Sequence, residues 1–413
     1  MQTLKYGFVG AGFVAKFHLS ALRQVRGIEV TGVTATAGGP ALAALAREWQ
    51  VGDAVVYDGI AEMAKHVDVI AVFAPNFARV AIVEAIVDAV KAGAGLKGVI
   101  CEKPLGRTVA EARRLVDLAA SAGLRTAYFE NQIFMKPITA QLAQLEPVQR
   151  RMGPLSLSRS SEEHGGPHEG WFWDPVRQGG GVLNDMGCHS IAVGRHVLTP
   201  VGRPVTFLEP VEVTADVALL KWGQTAWREK LLRERNVDYA KTPAEDFATG
   251  IVTYRNPETG QLVKAQFTNS WMFEKQGLRL FMDGTGPGYA FEVNTLVSPL
   301  SIFIGDAAAE AVKDAELALE KSTASRGLLA VQVNEADLYG YTDENADARD
   351  AFLAGRDALL DWGYGLEVTR LVMAAYMAAE QKRAVNLADP ATRRALETYV
   401  PLIAQGRGAG QLY

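Results

Sequence analysis

Through the first third of the chain, short apolar runs alternate with Ala- and Leu-rich stretches of helical spacing. The runs are Leu4–Val9, Ile28–Val33, a weak Val55–Tyr57, Val67–Phe73 and Gly98–Cys101. Between them, Ala41–Trp49 and Val80–Ala92 repeat apolar residues every three or four positions, as amphipathic helices do. A further unit follows, helix Val109–Ser121 and then strand Arg125–Phe129. Strands alternating with helices predict parallel βαβ units, and hence a doubly wound α/β domain over residues 1–133.

From about Leu155 the texture changes. Leu155–Ser160, Val211–Leu220, Phe247–Tyr254, Leu262–Trp271 and Leu278–Met282 are strand-like with few helices between them. Such a run predicts a mostly antiparallel sheet, so residues 134–413 are read as an α+β domain with one open sheet face. Glu367–Gln381 is a long amphipathic helix, expected to lie in a segment near 365–383 that packs back. Trp227–Arg235 and Ala307–Lys321 are charged insertions that read as solvated surface helices. No low-complexity linker separates the two domains, so close docking is expected.

Composition narrows the class. The 413 residues are 48% hydrophobic and 22% charged, ordinary for globular domains of this total length. Against 47 acidic residues stand 42 basic ones, a net charge of −5 that offers no basic field to nucleic acid. Two cysteines, Cys101 and Cys188, cannot build a disulfide framework. No apolar run reaches the roughly 20 residues of a membrane span. After Met1-Gln2-Thr3 the first strand leaves no room for a signal peptide, so a soluble cytoplasmic protein is expected.

Candidate chemistry begins at Gly10-Ala-Gly12-Phe13-Val14-Ala15, which follows the first strand and opens a helix. This is the Gly-x-Gly-x-x-Ala form of the dinucleotide fingerprint. Gly10 allows the tight turn, Gly12 lets backbone approach a pyrophosphate, and Ala15 lets helix pack on strand. The phosphates would then lie over the open N–H groups of the helix start. At the end of the second strand, Thr34-Ala-Thr-Ala-Gly-Gly39 holds neither the acid that favours NAD nor the Arg that favours NADP. Both cofactors stay open, with a lean to NAD.

A second set of residues follows the fifth strand, Glu102-Lys103-Pro104, where ligands of doubly wound sheets bind. Far downstream, Gly179-Gly-Gly-Val-Leu-Asn-Asp185-Met-Gly-Cys-His189 delivers an acid and an imidazole four residues apart. If a helix begins there, both share a face. The segment Glu162–Asp174 adds His164, His168, Trp171 and Trp173, which with Arg159 are read as substrate contacts. Its His-x-x-x-His spacing would suit a metal on a helix, but Gly165-Gly166-Pro167 cannot be helix interior, so no metal site is read. Cys188 reads as a small buried filler.

These motifs together resemble the glucose–fructose oxidoreductase, inositol dehydrogenase and MocA family. Supporting matches are Ala74-Pro75-Asn76, Asn131, Met282–Gly288 and the Asp350–Arg383 segment. The resemblance implies a Rossmann domain in which Gly10, Gly12, Phe13, Val14, Thr34, Ala74, Pro75, Asn76, Glu102, Lys103 and Asn131 surround NAD or NADP. It implies an enzyme that moves hydride between nicotinamide and a secondary alcohol of a sugar, cyclitol or sugar acid. His189 would be general base, Asp185 would orient its ring, and Lys103 would stabilise charge on the reacting oxygen. The family often has His three residues after the Pro-Asn asparagine, whereas this chain has Arg79. Transient redox with retained NAD, giving glycosidase-, lyase- or isomerase-like chemistry, is an alternative, and a non-catalytic sensor is a third. An apolar open sheet face would pair chains into a homodimer or homotetramer.

Overall fold

The computed structural model describes residues 2–274, 278–297, 300–304, 327–331 and 334–413. The chain divides into two compact units, Met1–Lys136 with Ala336–Thr369, and Pro137–Glu335 with Arg370–Tyr413. The boundary expected after residue 133 therefore falls at Lys136. The expectation that everything beyond belongs to the second domain is corrected, because 336–369 returns to the first. The charged stretch Ala307–Lys321 lies outside the described residues.

The first unit is a six-stranded sheet of β1 (Leu4–Val9), β2 (Ile28–Thr34), β3 (Val55–Val56), β4 (Val69–Val72), β5 (Gly98–Glu102) and β6 (Arg125–Phe129). Its order is β3-β2-β1-β4-β5-β6, and every pair is parallel. Crossovers run through α1 (Phe13–Leu22), α2 (Gly39–Glu48), α3 (Ile60–Met63), α4 (Arg79–Lys91) and α5 (Val109–Ser121). Leu4, Tyr6, Phe8, Val30, Val33 and the whole of β4 are buried. Burial on both faces is why these strands read as continuous apolar runs rather than alternating ones. The strand order reverses between β1 and β4, and a crevice opens beyond their carboxyl ends at such a reversal. Gly10 follows β1 there, and Ala74-Pro75-Asn76 follows β4.

The returning segment is bonded onto β6. Tyr128 N–H donates to the Leu360 carbonyl at 2.8 Å, and Thr126 N–H donates to the Asp357 carboxylate at 2.7 Å. The Trp362 indole donates to the Ala127 carbonyl at 3.1 Å. Nothing local marks these residues as belonging to a domain begun more than two hundred positions earlier.

The second unit opens with α6 (Lys136–Met152) and centres on seven strands. They are β7 (Leu157–Glu163), β8 (Glu209–Ala218), β9 (Phe247–Arg255), β10 (Leu262–Ser270), β11 (Arg279–Gly286), β12 (Tyr289–Asn294) and, pairing with β8, Val385–Asn386. Only β7 and β10 run parallel; the other pairs are antiparallel. Short α7 (Pro175–Gln178) precedes α8 (Cys188–Leu198), which packs on β7 and β10. Helix α9 (Thr225–Arg235) realises the first charged insertion.

The Gly194 position of α8 abuts Ala265, Ser158 and Ser160, so strand alternation turns the intervening residues to the far face. Those include Arg159, Ser161, Lys264, Gln266, Thr268, Thr214 and Asp216, and with them Leu157, Ile251, Leu262 and Phe281. Arg159 pairs with Asp283 at 3.1 Å, and Arg279 with Glu163. This face mixes cross-strand ion pairs with apolar side chains, Ile251 at 37% and Leu262 at 52% exposed among them. No helix among the described residues is long and apolar enough to cross a membrane.

Candidate active site

In the first unit, Gly10 has φ +107° and sits so close to β4 that a Cβ would lie 2.8 Å from the Phe73 carbonyl oxygen. Gly12 caps α1 with no side-chain hydrogen bond, and the first turn holds no acid. Where its Cβ would stand, no other heavy atom lies within 4 Å. An uncapped helix start beneath open space fits a pyrophosphate. Ala15 is fully buried where α1 meets the sheet. Phe13 packs on Phe17 with ring centroids 5.6 Å apart, and Val14 leans on the core. Thr34 ends β2 and accepts the Gly10 N–H at 2.9 Å through its carbonyl.

Lys103 sits at the carboxyl end of β5, and Arg79 holds its turn. That guanidinium, 4% exposed, donates to the carbonyls of Ala74 at 3.2 Å, Glu102 at 2.6 Å and Lys103 at 3.1 Å, and also to that of Pro104. One planar fork thus ties the Ala74-Pro75-Asn76 turn to the Glu102-Lys103-Pro104 turn. The departure from the family's usual histidine is therefore structural, and the sequence did not show its partners. Asn76 is buried at the start of a single 3₁₀ turn. Asn131 is buried as well, and its amide donates to the Tyr339 carbonyl at 2.7 Å, an internal tie.

Glu102 points into the unit. Its carboxylate accepts the Lys103 N–H at 3.0 Å and meets His18 Nε2 at 2.8 Å. Burial works to raise this carboxyl, but the hydrogen bond from His18 and the positive charges of Lys103 and Arg79 hold it below its ordinary value. Burial, with repulsion from Glu102 and Glu130, pushes the Glu344 carboxyl well above its own. The ligand atoms of His18, Glu102 and Glu344 lie within 4.8 Å of one another, which raises a metal reading at a place the sequence did not suggest. The hydrogen bonds argue against it. Asn345 Nδ2 donates to the Tyr341 carbonyl at 2.8 Å and to His18 Nδ1 at 2.9 Å. Nδ1 is therefore the acceptor and Nε2 carries the hydrogen that Glu102 receives, where a metal would need a bare nitrogen.

In the second unit, Asp185 lies in a π turn, Leu183–Gly187, that runs straight into α8. Asp185 and His189 are 2% and 4% exposed. The Trp271 indole donates to Asp185 Oδ2 at 3.3 Å. Trp271 is itself fully buried, packed 5.2 Å from Trp173, which also touches Trp222 and Tyr239. Trp173 is thus a member of an interior ring cluster that supports the acid. Trp171 stacks on Phe172 at 3.8 Å and stays half-buried. His164 is buried and its Nδ1 accepts the Gly166 N–H at 3.0 Å, while His168 is half-buried. Cys188 is buried, and its thiol donates to the Asp185 carbonyl at 3.4 Å.

One residue proposed as a substrate contact is corrected. Arg159 lies on the sheet face opposite α8 and is held by Asp283, because alternation along β7 turns it away from Ser158 and Ser160. The same alternation turns Glu162 inward, and its Oε2 lies 4.0 Å from His189 Nε2. Glu162 was missed as a site residue, although its inward phase was readable from the Ser158, Ser160, Glu162 period.

Comparison with known proteins fits this division. Residues 4–130 match a family model described as an oxidoreductase family with an NAD-binding Rossmann fold. Residues 149–287 match the corresponding C-terminal domain model, GFO/IDH/MocA. A 1,5-anhydro-D-fructose reductase from Ensifer adhaerens is 28% identical over 197 residues, 47% of this chain and 56% of that protein. That match therefore spans little more than half the relative's length. Among solved structures, GenD2 from gentamicin A biosynthesis, in complex with NAD, aligns with a TM-score of 0.72 at 20% identity, covering 94% of this chain and 97% of that one. A myo-inositol dehydrogenase from Corynebacterium glutamicum gives 0.66 at 19%, covering 94% and 99%. At such identities the structures speak for the fold.

Proposed function

Because the chain belongs to the Gfo/Idh/MocA oxidoreductase family, with its NAD-binding Rossmann domain, we propose that it transfers hydride between the nicotinamide of NAD(P) and a secondary alcohol of a sugar, cyclitol or sugar acid. The observation that carries this reading is His189, a buried imidazole at the start of α8 with the Glu162 carboxylate facing its Nε2. The nicotinamide, when bound, supplies the hydride acceptor or donor. The chain's own residues do the rest. His189 takes the substrate hydroxyl proton at Nε2, and Glu162 and Asp185 offset the positive charge this leaves on the ring. Lys103 donates a hydrogen bond to the reacting oxygen and stabilises negative charge on it. The open start of α1 at Gly12 receives the pyrophosphate. NAD is the preferred partner, since no Lys or Arg stands among residues 34–39 to meet a 2′-phosphate.

The test is turnover on a panel of sugars, cyclitols and sugar acids with each cofactor, reading reduced nicotinamide by absorbance and products by NMR. A keto product with stoichiometric reduced cofactor is the expected result. Product without net reduction would replace it with transient redox chemistry. Cofactor binding with no product from any substrate would point to a sensor.

A further inference from the structure

The glycines at 180 and 181 are shaped by two buried side chains. A Cβ on Gly180 would collide with the Tyr376 hydroxyl, and one on Gly181 would lie 2.7 Å from the Glu245 carboxyl. Glu245 and Tyr376 are both fully buried. Glu245 Oε1 accepts the Gly181 N–H at 3.0 Å, the Leu183 N–H at 3.1 Å and the Tyr376 hydroxyl at 2.6 Å. Its backbone carbonyl accepts the Val182 N–H at 3.1 Å, and Tyr376 Oη also accepts from Gly181 at 3.1 Å. Three consecutive amides therefore end on one acidic residue. The next turn follows at once: Asp185 N–H donates to the Gly181 carbonyl at 3.1 Å, and His189 is four residues on.

A helix start exposes N–H groups that need acceptors, and the π turn here has no side-chain cap of its own. Glu245 fills that role from the residues just before β9. Its other oxygen, Oε2, is buried with no hydrogen-bond partner, a cost that packing alone would avoid by placing an apolar residue there.

We infer that Glu245 and Tyr376 are positioning residues, which fix the entry of the turn carrying Asp185 and His189 and so set where the base stands. This rests on His189 being the base. It also explains the second and third glycines of the triplet, since any side chain at 180 or 181 would displace the clamp.

The experiment compares Glu245→Leu, Glu245→Gln and Tyr376→Phe for kcat, cofactor dissociation constant and amide exchange at Gly181 and Leu183. A base misplaced by about 1 Å costs roughly 100-fold, so Glu245→Leu is expected to lower kcat by that order while cofactor binding stays within twofold. Glu245→Gln keeps an acceptor oxygen and is expected to recover most of the loss. Tyr376→Phe removes one of the bonds to Oε1 and should lower kcat roughly fivefold, with faster exchange at Gly181. A folded Glu245→Leu with kcat within threefold of the parent overturns the proposal. If that variant does not fold, Tyr376→Phe decides, and unchanged kcat and exchange overturn it. His189→Asn separates the two readings: if it keeps full turnover the base assignment is wrong, while the exchange data still test the clamp.

Discussion

Two turns carry the proposed chemistry, one in each unit, and each is held by a buried ionisable side chain, a guanidinium in one and a carboxyl in the other, that reaches several backbone groups at once. The turn of Lys103 ends a strand and leaves carbonyls to satisfy, and Arg79 supplies the donors. The turn of Asp185 and His189 begins a helix and leaves N–H groups, and Glu245 supplies the acceptor. The sign of the clamp follows from which backbone groups the turn exposes. The consequence is unequal. A guanidinium does not titrate in proteins, whereas burial pushes Glu245 up to about 7, against the hydrogen bonds of Tyr376 and the Gly181 and Leu183 amides.

The largest expected effect is on turnover. His189→Asn should lower kcat by about 100- to 10,000-fold, the usual range for removing a general base, with cofactor affinity unchanged by fluorescence titration. Full turnover would leave the second turn without a chemical role and dissolve the comparison.

Next comes the first clamp. Arg79→Met leaves buried carbonyls without their charged donor, and should lower unfolding free energy by about 3 kcal/mol in urea. Arg79→Lys should recover less than half of that, because one ammonium cannot serve the fork's separate acceptors. Equal stability of all three forms would show the bonds to be redundant.

The second clamp differs in its pH response. A carboxyl whose folded pKa lies above its unfolded value keeps a proton the unfolded chain has released. Stability from it is complete below pH 4.5 and is lost as pH rises toward 7. From 4.5 to about 7 this amounts to about 3 kcal/mol. Glu245→Gln removes it. The difference in unfolding free energy between parent and variant should therefore drift by that amount between pH 4.5 and 8, and Arg79→Lys should show no such drift. Parallel curves for parent and Glu245→Gln would mean that folding leaves the affinity of Glu245 for its proton unchanged.

What the sequence could show divides along the same line. Helix Val109–Ser121 and strand Arg125–Phe129 were legible to the residue, because a strand buried on both faces writes its pattern locally. Apart from Ala74, the partners of Arg79 lie more than twenty positions downstream, and those of Gly181 and Leu183 sixty or more. No periodicity links such residues. The two phases of a strand with one face against a helix were legible: Val263, Ala265 and Phe267 point one way, and Lys264, Gln266 and Thr268 the other.

The smallest effect concerns which acid serves His189. The motif assigns Asp185, whose Oδ2 accepts from Trp271, yet the carboxylate facing His189 Nε2 is Glu162 at 4.0 Å. A charge-assisted contact of about 1.5 kcal/mol made in the transition state corresponds to roughly tenfold in rate, so Glu162→Gln should lower kcat by that order. If both acids act on the same imidazolium, Asp185→Asn with Glu162→Gln should lose less than the product of the single effects, since residues sharing a partner are not additive. Multiplicative losses would mean that they act on different groups. Glu162 would then belong to substrate recognition, and Asp185 alone would remain the partner of the base.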